Sequence, residues 1–130
     1  MGHLHIHLPH KSPSIQYELN DFLSSNNISI ELIVKILNKI KQYLVFFMDS
    51  YSNLFTNAID NLNSNITTQL ISSLQMCLEE LEYQNSHLME IYKDTYLHYY
   101  DAIKCFPLCE FVIKKIISYF LNNHKKSLLH

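Results

Sequence analysis

Arginine and tryptophan are absent from this 130-residue sequence, glycine occurs once, proline three times and alanine twice. Each shortage excludes something. Sheets, barrels and α/β folds need more turn punctuation than one glycine and three prolines supply. A phosphate-cradling loop or a dinucleotide fingerprint needs several glycines and cannot be written with Gly2 alone. Without arginine, bidentate readout of phosphate or guanine is lost, and the formal charge of −2 supplies no basic patch, so no nucleic-acid partner is expected. The longest apolar run, from Tyr43 to Met48, is far short of the roughly 18 residues that span a bilayer, so no membrane span is expected. The three cysteines, Cys77, Cys105 and Cys109, are an odd number and do not make a disulfide framework. No charged segment followed by an apolar stretch marks the start as a secretory signal. The expected setting is intracellular and cytoplasmic.

What the sequence does contain is helical periodicity. Apolar residues make up 48% of it, enough to build a core in a single domain, and the expected fold class is all-α. Ile15, Leu19, Phe22 and Leu23 give a short amphipathic helix over about 14–24. A Ser29 cap then opens a long one, about 30–61. Along it Ile33, Leu37, Ile40, Leu44, Phe47, Tyr51, Leu54 and Ala58 recur at alternating spacings of four and three. Strain is expected near Asp49 and Ser50. The polar turn at 61–65 leads into a third helix, about 65–105, with its weakest point at Gln84, Asn85 and Ser86. Pro107 should stop that helix and open a fourth, about 107–123. The expected architecture is a four-helix bundle. Two long antiparallel central helices form a projecting hairpin, and two short helices flank its base. Residues 1–13 read as a histidine-rich arm, 14–123 as the bundle and 124–130 as a tail.

Three constellations bear on function. His3, His5, His7 and His10 crowd the arm, and at strand period the first three share a face, so they are the candidate metal ligands. No carboxylate lies near enough in sequence to orient the rings, and an arm that binds metal only adventitiously is the plainer reading. Cys105 and Cys109 form a Cys-x3-Cys pair that lacks the two further ligands of a zinc site, and small buried hydrophobes are the plainer reading there too. Tyr92, Tyr96 and Tyr99 share one helix face, and tyrosine is enriched at interfaces. The hairpin tip should leave Phe55, Ile59 and Leu78 wet unless something covers them. No nucleophile–base pair, small-molecule substrate site or cofactor motif is apparent. The expectation is a non-enzymatic helical interaction protein, an adaptor or small subunit of a larger assembly. Its partner would be another protein or a second copy, contacted through Phe55, Ile59, Leu78, Tyr92, Tyr96 and Tyr99. A metal-binding protein using the arm, or an enzyme with an unrecognised site, are the alternatives.

Overall fold

The computed structural model describes the backbone of residues 14–92 and 97–129 and the side chains of 14–90 and 99–126. Among the described residues there are six helices and no strand. They are α1 (Gln16–Ser24), α2 (Ile30–Val45), α3 (Ser50–Asn63), α4 (Thr67–Ser86), α5 (Leu88–Tyr92) and α6 (Leu97–Leu129). The fold is an all-α bundle, as the composition implies. The histidine arm lies outside the described residues.

The spine of the bundle is α6, about 50 Å long at 1.5 Å per residue. Alongside it α1 runs parallel, with Ser14 against Cys105 at one end and Phe22 against Lys115 at the other. In the opposite sense runs α4, since Asn85 meets Glu110 while Glu82 meets Lys114. A single core joins the helices. Its members include Leu19 and Phe22 of α1, Ile33 to Leu44 of α2, Tyr51 and Phe55 of α3, Leu74 and Leu81 of α4, and Phe106 to Ile116 of α6.

Local signals explain two helix ends, and a tertiary contact explains a third. Ser29 caps α2, its side chain accepting from the Leu32 amide at 3.1 Å. At the end of α3 the Ile66 amide reaches the Asn61 carbonyl and the Asn65 amide reaches that of Leu62. This is the Schellman pattern, and Asn65 occupies its left-handed position with φ 61°. Lys115 closes α1: its ammonium donates to the carbonyls of Phe22, Leu23 and Ser25 at 3.0, 2.9 and 2.7 Å and lies 5.5 Å from the Phe22 ring centroid.

Three expectations are corrected. The long helix over 30–61 is broken at 46–49, where the Phe47 amide bonds Leu44 and the Tyr51 amide bonds Met48. The stretch from Tyr43 to Met48 is apolar on every face, and a straight helix could bury only part of it. The break seats Phe47 against Phe106, with ring centroids 5.2 Å apart and nearly perpendicular. Beyond it the buried stripe of α3 is Tyr51, Phe55, Ala58 and Leu62; Tyr51 and Ala58 keep their expected places, while Phe55 is enclosed and Leu54 only partly buried. The third helix is likewise interrupted. The Ser86 hydroxyl donates to the carbonyls of Glu82 and Tyr83, and His87 ends α4 with its own hydrogen bonds to Gln84 and Tyr83. The third correction is Pro107, which stops nothing. It lies inside α6, half-buried at a groove, while Cys105, Phe106 and Cys109 are sealed in the core around it. That packing holds the helix together where the ladder loses a bond. As a consequence α6 takes in the residues expected as a tail, up to Leu129.

Candidate functional site

The expected hairpin tip is not a wet surface. Phe55 is 0% exposed, enclosed on the α3–α4 interface with Ala58, Leu62, Leu70, Leu74 and Cys77. Ile59 and Leu78 are partly buried against the same core. The α3–α4 hairpin closes on itself: Phe55 and Ala58 of α3 are buried in one core with Leu74 and Cys77 of α4. Polar staples hold this closure, with Asn61 donating to Ser73 Oγ (3.2 Å) and the Cys77 thiol to the Leu54 carbonyl (3.5 Å). The partner contact expected through Phe55 is therefore withdrawn.

The cysteines are free and buried. Cys105 belongs to a polar network inside the bundle. The Tyr43 hydroxyl donates to Asp101 Oδ2 at 2.5 Å, the Cys105 thiol donates to the same oxygen at 3.6 Å, and Ser14 Oγ lies 3.7 Å from Cys105 Sγ. Burial first, then the bond to Asp101, pushes the Tyr43 hydroxyl far above the ordinary tyrosine range. Burial likewise raises the Cys105 and Cys109 thiols and pushes Cys77 up to about 12. These groups stay protonated at neutral pH, which makes the thiols weak nucleophiles and weak metal ligands. What the network does is tie the chain before α1 and the end of α2 to the start of α6. No group of three or more His, Cys, Asp or Glu able to hold a metal occurs among the described residues. The candidate ligands His3, His5, His7 and His10 lie outside them.

Exposed apolar side chains are spread over the molecule, Tyr17, Met76 and Tyr83 among them, and one group lies on α6 and α5. Tyr100 (66% exposed), Ile103 (39%) and Phe111 (52%) follow one another at helical spacing with Pro107 between them, so they form one stripe along the outer face of α6. Met89 of α5, 70% exposed, stands beside Ile103 and Pro107 across a groove of about 750 Å³. Half-buried Tyr99 lines the groove and packs edge-on against Tyr100, their centroids 5.5 Å apart. Of the three tyrosines read as one face, Tyr99 is thus at the groove, and the Tyr92 and Tyr96 side chains lie outside the described ones. Sequence reasoning missed Ile103, Pro107 and Phe111 as a surface. The signal available was the phase of α6 itself, hidden by the assumption that Pro107 divides it.

Two smaller features complete the surface. Tyr17, Glu18, Asp21 and Phe22 of α1 face Leu32, Lys35, Ile36 and Lys39 of α2 across a cleft of about 300 Å³, closed by the Lys39–Glu18 pair at 3.9 Å. Lys114 sits between Glu110 (2.9 Å) and Glu82 (4.0 Å) and 6.0 Å from the Phe111 ring centroid. No helix among the described residues is long and apolar enough to cross a membrane. The chain matches no family model, no curated protein and no solved structure.

Proposed function

We propose that this protein is a non-enzymatic helical interaction module, an adaptor or small subunit of a larger intracellular assembly, and that it binds a protein partner through the outer face of α6. The observation that carries this reading is the contiguous stripe of Tyr100, Ile103, Pro107 and Phe111 with Met89 beside it, four of these five more than a third exposed. Scattered exposed apolar residues need no explanation, but a continuous row flanked by a groove is the usual mark of an interface. Aromatic anchors such as Tyr100 and Phe111 are the residue types that dominate binding energy. The sealed, protonated thiols fit a reducing cytoplasmic setting.

The test pairs Ile103→Asp with Phe111→Asp. The double variant should keep the wild-type circular dichroism spectrum, because both residues lie outside the core. Light scattering at ~100 μM separates the two kinds of partner. A wild-type dimer that the variant converts to monomer identifies a second copy. A wild-type monomer that recovers a protein from its native source, which the variant fails to recover, identifies a different chain. If wild type and variant have the same mass and recover the same proteins, α6 is not the interface.

A further inference from the structure

The apolar stripe on α6 has two edges of opposite charge. On one side the groove leads across to α5, where Glu90 is exposed next to Met89. The lining of the groove mixes donors and acceptors, the Ser86 and Tyr99 hydroxyls beside the Glu110 carboxylate, so it sets no sign of its own. On the other side stands Lys104, also exposed. Tyr99, Ile103, Pro107 and Glu110 line the groove, and Lys104 lies about 100° round the helix from their mean bearing. Lys115, about three turns further on, has nearly the bearing of Lys104 and reaches α1, so Lys104 belongs to the α1 flank. Neither Lys104 nor Glu90 makes an ion pair with another described residue.

An apolar centre with a base on one edge and an acid on the other is complementary to itself. Two α6 helices can meet stripe to stripe in two senses. In the antiparallel sense the two-fold axis crosses the helices, and each edge meets its own copy, lysine against lysine and acid against acid. In the parallel sense the axis runs along the helices, and each edge meets the opposite one. Lys104 and Glu90 stand at one level, because Met89 and Glu90 lie across the groove from Ile103 and Pro107, which bracket Lys104 in the chain. Both cross pairs then form at once, as a two-fold interface requires.

We propose that the α6 stripe binds a second copy of this chain, in a parallel two-fold dimer in which Lys104 of each copy pairs with Glu90 of the other. The proposal rests on the interaction reading above and names the partner. Tyr100, Ile103, Pro107 and Phe111 of the two copies pack across the axis, and this burial supplies the affinity. The two ion pairs sit at the rim, where an exposed pair adds little energy but selects the sense and register of docking.

Sedimentation equilibrium of the full chain from ~10 μM to ~1 mM should show monomer and dimer in equilibrium. Lys104→Glu and Glu90→Lys each turn two attractions into two repulsions, so each should weaken the dimer about tenfold at low salt, and the two together should restore it. A spin label on Asn122→Cys reads the sense, with the unsubstituted chain as the labelling control because its own cysteines are buried. Parallel copies hold the labels within about 25 Å; antiparallel copies set them roughly 50 Å apart, since Asn122 lies about 16 residues from the middle of the stripe. A dimer indifferent to both single reversals, or with its labels far apart, overturns the parallel pairing and leaves α6 as the interface. A dimer that survives Phe111→Asp overturns the pairing and the α6 reading together. A chain that stays monomeric to ~1 mM overturns the second copy as partner, and the interaction reading then stands only if the Ile103→Asp, Phe111→Asp variant loses a partner of different sequence.

Discussion

Raising the pH should unfold this protein unusually early, and Cys77 shows why. The thiol is 0% exposed and donates to the Leu54 carbonyl. Burial pushes it up to about 12 from an ordinary value of 9.0. Below pH 9 the thiol is protonated in both folded and unfolded chains, and stability does not depend on it. Above pH 9 the unfolded chain loses this proton and the folded chain keeps it, so the unfolded state gains. Each pH unit then costs about 1.4 kcal/mol, and by pH 12 the loss from Cys77 alone is about 4 kcal/mol. Cys105 and Cys109 are raised in the same direction, Cys109 strongly, and Tyr43 joins them above its ordinary value of 10.0. Their shifts add to the slope in the same direction, and the loss from Cys77 alone is already a large share of a stability of about 5–15 kcal/mol. The assay is urea unfolding followed at 222 nm from pH 7.5 to 10.5 with reductant present. The midpoint should be level to about pH 8.5 and then fall steeply. Cys77→Ala should be less stable at pH 7.5 but show a slope shallower by about 1.4 kcal/mol per unit. An unchanged slope in that variant would mean that the buried thiol ionises in the folded protein, and the burial argument would be refuted.

Four further outcomes follow from single contacts. Lys115→Met keeps the stem on Phe22 and removes three donors from the end of α1, so it should cost about 2 kcal/mol. Amide exchange should accelerate through α1 and stay unchanged in the α3–α4 hairpin; uniform acceleration would disprove a local cap. Phe55→Ala should cost about 3–5 kcal/mol in urea melts, as a fully enclosed aromatic does, and a loss below 1 kcal/mol would mean that the hairpin does not close over it. Tyr43→Phe takes one of two donors from Asp101 and should cost about 1–3 kcal/mol at pH 7, with thermal melts as the check. Pro107→Ala restores the bond to the Ile103 carbonyl and should raise stability by about 1–3 kcal/mol, and a drop in melting temperature would show that the ring itself packs.

Local chemistry in the sequence determined that the chain is helical and where several helices end. One glycine and dense three–four periodicity leave no other fold class. The Ser29 cap and the polar turn at 61–65 are readable because capping is a contact between near neighbours. Tertiary structure decided the rest. Whether a helix continues through Pro107 depends on Cys105, Phe106 and Cys109 being sealed by other helices, a gain that outweighs one lost backbone bond. Whether the chain stays straight past Val45 depends on Phe106, far along the chain, offering Phe47 a place. The surface followed from the packing. Closure of α4 against α3 buried Phe55 and removed the expected contact, and the continuous α6 aligned Tyr100, Ile103 and Phe111 on one outer face. Periodicity reports which residues of one helix share a side; which side is left uncovered is a property of how the other helices pack against it.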